Sequence, residues 1–280
     1  MQETRKREIR IKADSFRANC KIGRYGIIDL FKECERMGYK LLRYPLGENT
    51  DLGFMTKRDN DIVIFTNSCS RLSREIFTLA HEIGHVILHL NDASSFIDDS
   101  ITINGRSTDE KEQEANYFAA CLLMPSDDIH RFIDLEIQDF QEKGLSAMDI
   151  ARIMSEFNVS FDMALNRLES LGVIDTDQKT RLDNAKTEMK VGNLLRGVGG
   201  NSKLNVASEV IDIPYEYIDY VIYNYNHNAV SKETLERVLA CYGLSIDDVS
   251  DKIITPSVDD DDLDDLKLKN TSKIESKKKC

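Results

Sequence analysis

The run His81-Glu82-Ile83-Gly84-His85 sets two imidazoles four residues apart, with a carboxylate next to the first. On a helix, positions i and i+4 share a face about 6 Å apart, so the two rings can converge on one ion. The surrounding stretch REIFTLAHEIGHVILHL, residues 74–90, contains no Pro and one Gly. It is apolar nearly all round, which predicts a buried helix. Glu82 stands one step round that helix, beside an ion rather than on it. That is where a general base acting on water is wanted. His89 continues the i+4 series but lies about 12 Å along the helix axis from His81, too far to share one ion with it. It reads as a buried or supporting histidine.

A hydrolytic zinc site needs a third protein ligand and one open position for water. The carboxylates of Glu110-Lys-Glu112-Gln-Glu114 are the nearest source. They open a second expected helix, running from the capping box Ser107-Thr-Asp-Glu110 to about Met124, ahead of Pro125. Glu112 has Asn116 one turn later, where an amide can brace a ligand. Glu114 points about 160° away from Glu112 round the helix axis, so only one of them can face the ion. Glu112 is favoured and Glu114 is the alternative. Gly84 costs its helix about 1 kcal/mol relative to Ala, which suggests that another segment passes close to it. Tyr117 reads as a packing residue, and the sequence assigns no oxyanion donor.

Taken together, FTLAHEIGHVILH and EQEANYFAACLLMP closely resemble the ImmA/IrrE family of zinc metallopeptidases. The resemblance implies one Zn2+ held by His81, His85 and Glu112, with Glu82 as the base. Glu112 is then the first Glu of the family pattern E-x-[E/Q]-A-[N/D]-x-F-A. The stretch DIVIFTN, with Arg71 and Arg74, is similar too, and FNVSFDMALNRLESLGVI more weakly. The likeness is strong over about residues 60–125 and fades by about 175. It implies an endopeptidase that cuts a partner helix-turn-helix repressor and so derepresses genes of a phage, a mobile element or a stress response. No repressor-like DNA-binding domain precedes the motif, so the repressor is expected to be a separate polypeptide. The competing reading is a non-proteolytic regulatory protein that binds a repressor through its helical half, with a structural or vestigial zinc site.

The elements that must position these groups predict an α+β, mostly helical chain. A zincin-like N-terminal domain, with a small antiparallel sheet packed on the HExxH helix, should precede an all-helical C-terminal half with a helix-turn-helix-like segment. The expected divisions are a flexible lead-in (1–23), the metallopeptidase domain (24–128), the helix-turn-helix-like segment (129–175), a helical C-terminal region (176–256) and a disordered charged tail (257–280). A helix from Arg24 to Met37 stops at Gly38, and strands follow at Tyr39–Pro45, Leu52–Met55 and Ile62–Thr66, with Thr56–Asp61 as a hairpin loop. The strand Asp61–Asn67 is a candidate edge for an extended substrate. Ser73 is the expected N-cap of the metal-motif helix. Later helices are expected at Ala147–Phe157, Phe161–Leu171, Asp177–Leu195, Tyr215–Tyr223 and Lys232–Cys241.

The 280 residues carry a net charge of −12, which argues against coating nucleic acid or an anionic membrane. The helix-turn-helix-like stretch sets Arg152 and Arg167 against Asp149, Glu156, Asp162 and Glu169, so it offers no basic face and no direct nucleic-acid contact is expected. Six scattered cysteines without a C-x-x-C pair exclude a zinc ribbon and suggest reduced thiols. No membrane-length apolar run and no secretory h-region occur, so a cytoplasmic protein is expected.

Overall fold

In the computed structural model, which describes residues 1–47, 52–58, 61–90, 95–98, 109–138 and 140–254, the HExxH run lies on α3 (Leu72–His89). Most of α3 is buried, as its all-round apolar sequence requires. On one side it carries a mixed sheet of β1 (Lys40–Tyr44), β2 (Gly53–Arg58), β3 (Asp61–Asn67) and β4 (Ser95–Asp98), ordered β1-β3-β2-β4. β2 and β3 pair antiparallel out to Arg58 opposite Asp61, so the strands take up most of the expected loop. β1 runs parallel to β3, from Lys40 opposite Val63 to Tyr44 opposite Asn67, which corrects the purely antiparallel expectation.

β3 is therefore a central strand and offers no free edge to a substrate, contrary to the reading above. Its sequence explains why. Ile62, Val63, Ile64 and Phe65 form a continuous apolar run, which suits a strand covered on both faces better than an edge.

Two helices close the other side of α3. α4 (Glu110–Leu123) packs directly on it, and α1 (Glu3–Arg17) packs on α4. The first residues are thus a helix rather than a flexible lead-in. Ile9, Ala13 and Phe16 form a buried stripe at i, i+4 and i+7, half hidden in sequence by the charges between them. α2 (Leu30–Arg36) starts at Asp29, whose side chain accepts from the Lys32 amide at 3.2 Å. That cap makes it shorter than the expected 24–37.

The start of α3 is anchored by tertiary contacts rather than by Ser73, which lies inside its first turn. The Leu72 amide donates to the Val206 carbonyl at 2.8 Å, so a late segment of the chain supplies the missing cap partner. The same segment exchanges two hydrogen bonds between Arg43 and Asp212, at 2.7 and 2.9 Å, along the outer edge of β1. Beneath it lies the buried Glu75 of α3. Arg43 binds both of its carboxylate oxygens, at 2.8 and 2.9 Å, and the Thr66 and Ser208 hydroxyls donate to it at 3.0 and 2.7 Å. One carboxylate so ties β1, β3, α3 and the late segment together.

The helical half continues with α5 (Ser126–Glu136), α6 (Phe140–Lys143), α7 (Ala147–Phe157), α8 (Phe161–Ser170), α9 (Thr176–Met189) and α10 (Val191–Gly197). α7 and α8 appear where expected, with a Ser146–Asp149 capping box and Asn158 in the left-handed region at the turn. The single helix expected over 177–195 is broken at Lys190, which has φ 57°. The buried Arg167 of α8 donates to the Met124 carbonyl at 2.9 Å, so it faces the interior.

Residues Met1–Pro214 form one unit with a continuous core from Ile9 to Leu204, so the divisions expected at 23, 128 and 175 fall inside a single body. The second unit begins at Tyr215 rather than 176. In it, α11 (Glu216–Asn226), α12 (Lys232–Cys241) and a 3-10 turn at Asp247–Lys252 enclose a small core of Ile218, Ile222, Leu235, Leu239 and Val249. The proposed capping residue Ser107 and the charged tail 257–280 lie outside the described residues. Among the described residues no helix is long and apolar enough to cross a membrane.

A chain ending at Pro214 should therefore unfold in one cooperative transition. One ending at Gly200 loses the fully buried Leu204 and the Ser208 contact to Glu75, and should be less stable by at least about 3 kcal/mol in a denaturant melt. Equal stability of the two truncations would show that the late segment does not anchor α3.

Candidate metal centre

α3 and α4 approach most closely where α3 has no side chain. A Cβ on Gly84 would lie 3.1 Å from the Ala115 Cα and 3.2 Å from its carbonyl oxygen, which is the close passage that the glycine suggested. The approach carries Glu112, almost one turn before Ala115, over His81 and His85. The two Nε2 atoms lie 3.0 Å apart, and each is 3.2 Å from a different Glu112 oxygen. All three side chains are buried. Their ligand atoms form the group among the described residues able to hold a metal ion.

The donor set fits such an ion. Donors about 2.0–2.1 Å from a tetrahedral zinc stand roughly 3.3 Å from one another, close to the spacing seen here. The Glu112 Oε2 atom has no hydrogen-bond donor among the described residues, although it is buried and 3.2 Å from His81 Nε2. The two Nε2 atoms and the Glu112 carboxylate thus turn toward one another in the interior. Burial alone would raise the Glu112 carboxyl, but the contacts from His81 and His85 outweigh it and hold the group well below the usual carboxylate range. On the far side of His81, Nδ1 lies 3.0 Å from the Asn116 carbonyl oxygen, the bracing contact expected of that amide.

Glu114 faces away from this cluster, as the helical angle demands. Arg5 of α1 binds both of its oxygens, at 2.7 and 2.6 Å, and His89 Nε2 lies 3.0 Å from Oε2. The Arg5 hydrogen bonds bring its pKa down to about 2 against an opposing burial effect, with His89 adding to the lowering. His89 is not in the three-donor group, but its Nδ1 lies 3.0 Å from Nδ1 of His85. Burial lowers its pKa, against the raising effect of Glu114.

Glu82 is fully buried on the sheet side of α3. A Cβ on Gly53 of β2 would lie 3.1 Å from Glu82 Oε1 and 2.5 Å from the Thr78 methyl, so a glycine in the strand lets the sheet settle onto the helix beside that carboxylate. Tyr117 sits among Cys121, Arg10 and Arg167, in a packing position. Sequence reasoning missed Gly53 and Arg5. A glycine inside an apolar strand was a readable signal, whereas Arg5 had none until α1 was known to be a helix.

Residues 34–169 match a peptidase family model described as the IrrE N-terminal-like domain. That span takes in the sheet, α3 and α4. No curated protein matches the chain.

Two substitutions test the geometry. Glu112→Ala should reduce metal affinity by more than the roughly 10–100-fold that losing a supporting contact costs, measured by competition with a chromophoric chelator. Gly84→Ala gains about 1 kcal/mol of helix propensity but forces α3 from α4 at a cost of about 1–3 kcal/mol. It should weaken metal binding without raising the melting temperature; a more stable variant with unchanged affinity would contradict the close-packing requirement.

Proposed function

We propose, from the premise that residues 34–169 form an IrrE N-terminal-like peptidase domain, that this protein is a zinc-dependent endopeptidase whose substrate is a separate helix-turn-helix repressor. The observation that carries this reading is the buried group of two imidazoles and one carboxylate, standing beside a further buried carboxylate that is not one of the three donors. A structural site has no use for that fourth group, and a hydrolytic one does.

In this reading His81, His85 and Glu112 hold one Zn2+. The ion supplies a Lewis acid that polarises the scissile carbonyl and lowers the pKa of water. Glu82 takes the proton from the attacking water on its carboxylate and delivers it to the departing amine. Packing between α3 and β2 keeps the Glu82 carboxylate out of bulk solvent. Asn116 holds the His81 ring in register by accepting from Nδ1.

A repressor rather than DNA is the macromolecular partner. The chain carries a net charge of −12, and Arg167 of the helix-turn-helix-like pair is directed into the core. Cleavage of the repressor would release genes of a mobile element, phage or stress response, in the cytoplasm where that repressor works.

The test is co-expression with a helix-turn-helix repressor encoded beside this protein's gene. A specific cut should appear with the wild type. In Glu82→Gln it should fall about 10²–10⁴-fold, the usual contribution of a general base, while bound zinc stays near one per chain. Loss of the repressor's activity without any cut, and equally in Glu82→Gln, would favour the non-proteolytic regulator.

A further inference from the structure

We propose that Arg5, on the N-terminal helix α1, is a positioning residue for the metal site: by holding Glu114 it orients His89, and through His89 it fixes the proton of His85 on Nδ1, leaving Nε2 bare for the ion. This rests on the metallopeptidase reading above and adds to it a part of the chain outside the 34–169 domain match.

The inference follows from which atoms can donate. Both oxygens of the Glu114 carboxylate take hydrogen bonds from the Arg5 guanidinium, so the group acts as an acceptor. Its neighbour Nε2 of His89, 3.0 Å away, must therefore carry a hydrogen. When Nε2 of His85 is given to the ion, its one hydrogen is on Nδ1, so His89 must meet it with the Nδ1 lone pair of a neutral ring. That lone pair faces Nδ1 of His85 at 3.0 Å, so Nδ1 of His85 is the donor. Its second nitrogen, 3.2 Å from Glu112 and 3.0 Å from His81 Nε2, is then the unprotonated one. Metal-ligating imidazoles commonly donate their other nitrogen to a carboxylate or carbonyl, which sets tautomer and ring orientation. For His81 the acceptor is Asn116 directly; for His85 the same role is carried across a second imidazole.

Arg5 is the end of this chain and the part that fixes it. Glu114 on α4 without a cation could swing toward solvent, because its side chain keeps 16% of its exposure. The guanidinium grips both oxygens, at 2.7 and 2.6 Å, and the fork holds the carboxylate plane. An exposed ion pair contributes little by itself. This one differs because its acceptor also holds His89, which touches a ligand. α1 is itself held rigidly: Ile9, Ala13 and Phe16 are buried, and the Lys12 ammonium reaches the Ile87 carbonyl at the end of α3.

The experiment measures Zn2+ affinity by chelator competition, and the visible spectrum of the Co2+-loaded full-length protein, for the wild type and variants. Arg5→Ala should bind zinc about 10-fold more weakly and shift the cobalt bands. Arg5→Lys, which supplies one donor point in place of a fork, should recover part of the loss. Lys6→Ala, on the same helix but paired with Glu3 instead of Glu114, should match the wild type. In a His89→Leu background the link is already cut, so adding Arg5→Ala should change affinity less than about 2-fold, a non-additivity expected only of groups acting through one another. A full 10-fold loss in both backgrounds, or wild-type affinity and spectrum in Arg5→Ala, overturns the proposal. If Arg5→Ala does not fold, Arg5→Gln in the same two backgrounds decides between these outcomes. Wild-type protein that takes up no zinc overturns the metallopeptidase reading itself, and this proposal with it.

Discussion

The contact of Gly84 on α3 against Ala115 on α4 sets the distance on which the rest of the site depends. Neither helix holds a site alone. α3 supplies two imidazoles on one face, and α4 supplies a carboxylate that is useful only if its backbone comes within a side chain's reach of them. Removing the side chain at the crossing costs helix propensity, and the return is two imidazole nitrogens 3.0 Å apart in the interior, each 3.2 Å from one oxygen of Glu112. Burying the Glu112 charge is expensive without partners, and His81 and His85 offset that cost. An ion between them would satisfy all three donors together, so the arrangement is prepared before anything binds.

Around that crossing the molecule is organised in shells of decreasing locality. The sheet lies on one side of α3, with Gly53 letting it settle beside Glu82. α1 backs α4 from the other side. The start of α3 is held by Glu75, gripped by Arg43, Thr66 and Ser208 from three separate parts of the chain. The late segment that brings Ser208 also covers the edge of β1, so residues beyond 200 stabilise a helix that begins at Leu72. This is why Met1–Pro214 behaves as one body although the family match ends at residue 169.

What was legible in the sequence was what local geometry fixes. The i, i+4 spacing of His81 and His85, the angle separating Glu112 from Glu114 and the cost of Gly84 each translate directly into three dimensions, because a helix leaves no freedom in those relations. α7 and α8 were legible for a similar reason: capping residues and a left-handed Asn158 mark their ends within a few positions. What was not legible depends on distant partners. α1 looked like a charged lead-in because its apolar stripe is narrow and its partner α4 lies about a hundred residues away. The parallel pairing of β1 with β3 depends on a crossover that no local pattern encodes. Ser73 looked like a cap only because the carbonyl that replaces it, Val206, comes from another part of the chain. The chain from Arg5 to His85 could not be read from spacing, since it links three helices through side chains.

The central claim is that His81, His85 and Glu112 together bind a catalytic zinc. X-ray absorption at the zinc edge of the stoichiometrically loaded protein tests it most directly. The predicted spectrum has two imidazole ligands and light oxygen donors at about 2.0–2.1 Å, without sulfur. A sulfur shell near about 2.3 Å, or a spectrum with no imidazole contribution, would mean that the metal sits elsewhere and would contradict this site.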